Sequence, residues 1–242
     1  MELRDLITLI FRLYGRRARV FLSGFRHRIE FLSLALADLQ DVVRKDPEDK
    51  ARVGGALARV LARIFLIAEH FQYLSQFGGI KGLPLVEALA EKYPKDRCSY
   101  CQAFPCDCGE KRQASSTHHP DETQLHWRLR EWCGHLEGLY GAKNRERGVD
   151  NVLNRLVKEV HEILTLALKA RNGTFRESLV RLEAEFAYEL ADAIAWTIAT
   201  ANVLGVNLET AFIERYKDGC CRCKELQCVC TYFNEDPEQW EG

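Results

Sequence analysis

Residues 179–204, LVRLEAEFAYELADAIAWTIATANVL, carry the stretch that decides the fold. Leu179, Leu182, Phe186, Leu190, Ala193/Ile194, Thr197, Ala201 and Leu204 recur at steps of three or four, the period of one face of an α-helix and not of a strand. Gly205 follows directly and ends the pattern. The first half of the chain carries a matching stripe: Leu57, Val60/Leu61, Ile64, Ile67/Ala68, Phe71 and Leu74. Prolines 47, 84, 94, 105, 120 and 237 all fall outside the long periodic runs, as continuous helices require. An all-α fold is therefore expected, with second-half helices near 123–140, 149–171, 174–204 and 208–216. The second helix stops at Asn172-Gly173. Thr174, with Glu177 three residues on, supplies a capping box for the third.

Working outward, the chain repeats itself. C-x2-C-x4-C-x-C occurs at Cys98, Cys101, Cys106, Cys108 and again at Cys220, Cys223, Cys228, Cys230. Each cluster follows an amphipathic segment ending in a basic residue and tyrosine, LPLVEALAEKY to Tyr93 and VNLETAFIERY to Tyr216. Leu13-Tyr14-Gly15 is echoed by Leu139-Tyr140-Gly141, and FLSLAL from Phe31 by ILTLAL from Ile163. A duplication follows, too short for a solenoid. The expected organisation is a first repeat at 1–108, a polar linker at 109–121, a second repeat at 122–230 and an acidic tail at 231–242, where Trp240 is the residue able to dock. Two helical halves of this kind predict a four-helix-type bundle in which one packs on the other.

The formal net charge of −1 gives no global attraction to nucleic acid or anionic membranes. No run of roughly 18 apolar residues predicts a membrane span. The N-terminus reads as an amphipathic helix and not as a signal peptide, so a cytoplasmic location is expected. In that compartment, ten cysteines call for an explanation other than disulfides. Four thiols within eleven residues, twice, suit structural tetrahedral Zn²⁺. An iron–sulfur cluster uses the same ligands and is the alternative. Cys133 and Cys221 are left over, the first as a packed thiol.

Four acids flank the stripes. Glu159 and Glu162 stand on one helix and Glu189 and Asp192 on the next, each pair spaced i, i+3 and therefore on one face. Each acid precedes a stripe residue by one position, which puts it at the margin of the buried face. Packing the two helices antiparallel would gather four like charges, which repel unless cations neutralise them. Mg²⁺ (or Mn²⁺), with water positions left for a phosphate ligand, fits oxygen donors of this kind. No glycine-rich P-loop is present, so Walker-type chemistry is not expected.

Glu159-Val-His-Glu162, a 26-residue spacer, and then ELADAIAWTIATANVLGVNLETAFIERY resemble the MazG-type, all-alpha nucleoside triphosphate pyrophosphatase superfamily, with its E-x-x-E and E-x-x-D motifs. The resemblance covers about residues 123–217, and more weakly 3–93. It implies hydrolysis of a nucleoside triphosphate between the α and β phosphates. Glu159, Glu162, Glu189 and Asp192 would be both catalytic residues and magnesium ligands. Arg215 matches a frequent family lysine near the phosphates, Trp196 an aromatic near the nucleotide, and Asn202 a nucleotide contact or a helix-end polar residue. In the first half, His27 and Glu30 align with Glu159 and Glu162, and Val60 and Arg63 with Glu189 and Asp192. That copy is therefore expected to be degenerate and to act as structural partner. The family's dimer would then be met as a monomeric pseudo-dimer or as a homodimer, with first-half residues such as Lys92 lining the pocket. The alternative is a non-catalytic, zinc-containing nucleotide- or nucleic-acid-binding or assembly protein on the same fold; the near-zero charge and sparse aromatics around the clusters argue against nucleic acid.

Overall fold

The computed structural model describes residues 1–21, 25–75, 84–108, 119–171 and 179–230. Among them the chain forms α1 (Leu3–Phe21), α2 (Phe25–Lys45), α3 (Lys50–Ser75), α4 (Leu85–Lys92), a 3-10 turn (Glu122–His126), α5 (Leu129–Arg171), α6 (Leu179–Val203) and α7 (Leu208–Tyr216). The described residues contain no strand, only an isolated antiparallel bridge between Glu2 and Arg128. No described helix is long and apolar enough to cross a membrane. The proposed Thr174/Glu177 cap, most of the 109–121 linker and the tail with Trp240 lie outside the described residues.

The α6 stripe forms because its apolar positions find partners. Phe186, Leu190, Ala193, Ile194, Thr197, Ala201 and Leu204 are buried. Truncating Ile194 or Leu190 to alanine would cost about 2–5 kcal/mol, from lost transfer energy plus the cavity left behind. Gly205, at φ 64°, takes the left-handed turn that ends the helix, and Val206 N–H then closes on the Ala201 carbonyl at 2.8 Å. Asn207 opens α7 by accepting from Thr210 N–H at 3.0 Å.

The two helices expected at 123–140 and 149–171 are met as the two segments of α5, separated by a break at Gly148. At φ 77° and ψ 163°, Gly148 adopts a backbone conformation that other residues take only with strain, and the axis bends there. Residues 141–147 (GAKNRER) extend the helix although no apolar stripe announces it. The segment expected as the start of that helix, 123–126, is instead the 3-10 turn, capped by Asp121 accepting from Thr123 N–H at 2.8 Å.

α2 pairs with α3, and α5 with α6, as hairpins that pack on each other through α3–α6 and α2–α5. The short helices cross over: α4 lies on α6, and α7 lies on α3. Buried residues from Leu3 through Cys228 make one continuous core that both halves share. The two repeats meet through matched contacts. Cys106 N–H donates to the Leu139 carbonyl at 2.9 Å, and Cys228 N–H to the Leu13 carbonyl at 2.8 Å. The Tyr93 and Tyr140 rings meet edge-on at 6.2 Å and 85°, the Tyr14 and Tyr216 rings at 6.1 Å and 82°. Each Leu-Tyr-Gly segment thus receives the cysteine cluster and terminal tyrosine of the opposite half.

Candidate functional site

The α5–α6 hairpin brings three of the four expected acids together. One carboxylate oxygen each from Glu159, Glu189 and Asp192 lies within 4.8 Å of the other two. The fourth, Glu162, stands outside this group. Its Oε1 accepts from Lys158 Nζ at 2.6 Å, an i, i+4 pair on the surface of α5. Glu162 remains hydrogen-bonded to Glu159, so it borders the triad without joining it.

Crowding shows in the electrostatics. Glu159 is pushed up to about 8, first by burial, then by its hydrogen bond with Glu162 and the charge of Asp192. Glu189 is raised as well, chiefly by burial. Glu162 moves the other way: burial opposes its ionisation, but hydrogen bonds from Lys158 and Glu159 outweigh that and hold it low. The two neighbouring carboxyls are thus shifted in opposite directions, Glu159 up and Glu162 down.

The first half supplies the opposing charge. Lys92, at the end of α4, forms an ion pair with Asp192, and its Nζ also reaches the Tyr188 carbonyl at 3.3 Å. The Tyr93 hydroxyl donates to Asp192 Oδ1 at 2.7 Å. Lys92 thus lines the cavity, as the sequence reading anticipates, and Tyr93 stands beside it.

These groups share a cavity of about 650 Å³. The lining holds the acids Glu159, Glu189 and Asp192, with Glu91 and Glu185, and the cations Lys92, Lys143, Arg147, Arg155 and Lys158. Tyr188, Trp196 and Tyr140 supply aromatic wall. The bend at Gly148 lets both segments of α5 line this space, Tyr140 to Arg147 before it and Arg155 to Glu159 after it.

Two expected contacts lie elsewhere. Arg215 is outside the cavity lining; it stands on α7 against α3, where its Nη1 would be 3.5 Å from a Cβ built on Gly55. Its helix crosses onto the first half, which carries it away from the acids. Asn202 is also outside the lining, because its Nδ2 donates to the Cys133 carbonyl at 2.9 Å and ties α6 to α5. Reading the residues one helix at a time missed Lys143, Arg147 and Arg155; the spacing of Arg155, four residues before Glu159, was the available signal, whereas Lys143 and Arg147 lie beyond the break at Gly148. Tyr93 and Tyr140 are visible in sequence only as repeat markers.

The first-half positions aligned with the acids build no such group. Arg63 is buried at 3% exposure, with its guanidinium 5.0 Å from the centroid of the Phe31 ring. His27 is exposed and Val60 is core. One turn away, Arg28 and Glu69 form an ion pair at 2.8 Å with both side chains at 2% exposure or less. Among the described residues, the carboxylate triad of the second half is the one all-acid group with this convergence.

Both cysteine clusters close up. In each, a thiol sulfur of every cysteine lies within 4.8 Å of the other three. Cys98–Cys108 is 3.7 Å, Cys101–Cys106 4.0 Å and Cys220–Cys230 3.8 Å between sulfurs. A tetrahedron with metal–sulfur bonds of about 2.3 Å has edges of about 3.8 Å, whereas a disulfide needs about 2.0 Å. All ten cysteines are free thiols. Backbone N–H groups point at the sulfurs: Asp107 to Cys101 at 3.3 Å, and Tyr100 to Cys98 and Cys108 to Cys106 at 3.5 Å each. Such donors stabilise thiolate. Cys98 is drawn down to about 6 although burial opposes it, and the hydrogen bond from Cys221 draws Cys220 down to about 3, while burial pushes Cys106, Cys108, Cys228 and Cys230 up. Gln102 (φ 61°) and Lys224 (φ 59°) make the same left-handed turn in the two loops, each donating its N–H back to the first cysteine's carbonyl. The donor set fits two closed, structural zinc sites.

Compared with models of known protein families, with curated proteins and with solved structures, the chain has no match.

Proposed function

We propose that this chain is a Mg²⁺-dependent nucleoside triphosphate pyrophosphohydrolase of the MazG-like kind, folded as an intramolecular pseudo-dimer with one working site. One observation carries the reading: three carboxylates converge in a cavity whose lining also carries five lysine and arginine side chains. A hard divalent ion suits the first feature and a chain of phosphates the second. The cavity volume is in the range that encloses a small ligand. The resemblance of residues 159–162 and 189–216 to the family supplies the reaction.

The crossed contacts of the two halves support the pseudo-dimer. α4 and α7 each pack on the other half's third helix, and the Leu13/Cys228 and Leu139/Cys106 bonds repeat at equivalent places. In this reading the first half no longer binds magnesium and contributes Lys92 and Tyr93 to the surviving site.

Glu159, Glu189 and Asp192 would hold the magnesium, with Glu162 swinging in from Lys158 as a fourth ligand. Bound magnesium supplies charge neutralisation on the phosphates and lowers the pKa of an attacking water. The chain's own residues do the rest. Lys92, Lys158 and Arg155 meet the negative charge that grows on the leaving pyrophosphate. Trp196 and Tyr188 offer flat faces to the base. Water oxygen bonds to the α phosphorus as the bridging α–β bond breaks, and the water proton passes to a neighbouring carboxylate.

The test is a nucleotide panel incubated with purified protein and Mg²⁺, following pyrophosphate and monophosphate. Turnover that vanishes in Glu189→Ala and survives Arg63→Ala is expected. No turnover with any nucleotide together with no Mg²⁺ binding removes the proposal.

A further inference from the structure

The two cysteine clusters share spacing, sulfur geometry and turn conformation, yet they stand in different company. Cys98, Cys106 and Cys108 line the carboxylate cavity. The second cluster rests on Leu13 and Tyr14 at the other end of the pseudo-repeat. From the first cluster a short path leads to the acids. The Tyr140 hydroxyl donates to Cys98 Sγ at 3.6 Å. The Tyr140 ring meets the Tyr93 ring edge-on, and the Tyr93 hydroxyl donates to Asp192 at 2.7 Å. Lys143, which also lines the cavity, donates to the Cys108 carbonyl at 2.7 Å and reaches Cys106 Sγ at 3.7 Å. Only residues 94–97 separate Tyr93 from Cys98, so the cluster anchors the backbone that carries Lys92 and Tyr93. Tyr216 meets Tyr14 in the same way as Tyr93 meets Tyr140, but no all-acid group of the described residues lies at that end.

We propose that the metal-filled first cluster is a positioning element of the carboxylate site: its occupancy holds Tyr140, Tyr93 and Lys92 in place and so sets divalent-cation affinity at Glu159, Glu189 and Asp192, while the second cluster serves stability alone. The proposal rests on the reading of those acids as a metal site. Physically, four thiol sulfurs within 4.8 Å of one another, two pairs of them at 3.7 and 4.0 Å, are the spacing that a shared cation would hold. Without it the knuckle opens, as ligand binding and local folding are linked. The Tyr140–Cys98 bond is then lost, and Tyr93 is left without one side of its cage. Groups that orient metal ligands from behind are worth about 10–100-fold in metal affinity, and Tyr93 is such a group for Asp192.

The experiment compares Cys101→Ser with Cys223→Ser, the corresponding ligands of the two clusters, neither of which lines the cavity. Zinc is counted by elemental analysis, helix content by circular dichroism, and Mn²⁺ affinity by electron paramagnetic resonance of the free ion. Wild-type protein should hold two zinc ions and each variant one. Cys101→Ser should raise the Mn²⁺ Kd by about tenfold or more, and Cys223→Ser by less than about twofold while lowering the thermal midpoint. Equal Mn²⁺ effects in the two variants, or none in either, overturn the proposal. Should Cys101→Ser not fold, Tyr140→Phe decides. It keeps zinc and the ring but removes the donor to Cys98, and an unchanged Mn²⁺ Kd there refutes the link. Wild-type protein that binds Mn²⁺ but turns over no nucleotide defeats the hydrolase reading and leaves this one to its own Kd ratios. Wild-type protein that binds no Mn²⁺ defeats both.

Discussion

Tyr93, at the end of α4 in the first half, donates its hydroxyl to Asp192 in the second half at 2.7 Å. The bond ties the acid-bearing face of α6 to the first half of the chain. A hydrogen bond to a charged group contributes about 1.5–3 kcal/mol. Tyr93→Phe is therefore expected to lower kcat/KM by about tenfold or more with the fold kept. Steady-state kinetics beside a thermal melt check this; full activity would show the bond to be incidental.

Lys92 forms an ion pair with Asp192, one of the three converging acids. Replacing it with methionine leaves three acids facing one another with less compensation. Lys92→Met should melt at lower temperature than wild type without metal, and Mg²⁺ should raise its midpoint by more than it raises that of wild type. Differential scanning calorimetry at two Mg²⁺ concentrations reads the difference. Equal Mg²⁺ shifts would place Lys92 outside the metal's field.

Glu159 gives a pH signature. Its carboxyl rises from an ordinary 4.5 to about 8, through burial and then Glu162 and Asp192. A carboxyl held above its unfolded value stabilises the fold while protonated; that contribution is whole below about 4.5 and is lost as pH rises through about 8. Glu189 shifts in the same direction and Glu162 in the opposite one. Metal-free protein should therefore lose stability as pH rises from about 4.5 to about 8, and little more above that. Saturating Mg²⁺ should abolish the loss, because the bound form needs the ionised acids. Mg²⁺ affinity should climb over the same range, with about one proton released per ion bound. Calorimetric titration in buffers of different ionisation enthalpy counts the proton; zero release would contradict the assignment.

Arg28 and Glu69 make a buried ion pair in the first half, near the place where the second half has its acids. Breaking one side leaves an uncompensated buried charge, about 3–5 kcal/mol. Glu69→Leu alone should destabilise by that order, and the double variant Arg28→Met/Glu69→Leu should recover most of it. Urea unfolding of the three proteins tests this. An additive double variant would mean that the two residues do not depend on each other.

The helices and three of the acids were legible because periodicity and i, i+3 spacing act within one element. Glu189, Asp192 and Glu159 sit at stripe margins, and the hairpin had only to pack antiparallel. Glu162 departs for a local reason also present in the sequence, since Lys158 lies four residues earlier and claims it. Arg215 and Asn202 were placed by family resemblance, and tertiary contacts took them elsewhere: α7 crosses to α3, and Asn202 finds the Cys133 carbonyl. Residues 141–147 have no apolar stripe, yet the first segment of α5 runs through them to the break at Gly148. The Leu-Tyr-Gly repeats were visible as words, but their use as docking seats for the opposite cysteine cluster depends on which half meets which, and no local pattern carries that.

Hydrolysis in ¹⁸O-labelled water tests the central claim most directly. With Mg²⁺ and an accepted nucleoside triphosphate, the label should enter the monophosphate alone and pyrophosphate should leave unlabelled, with both products absent in Glu189→Ala. Release of orthophosphate, label in pyrophosphate, or undiminished turnover in Glu189→Ala would contradict attack at the α phosphorus by a site built on Glu159, Glu189 and Asp192.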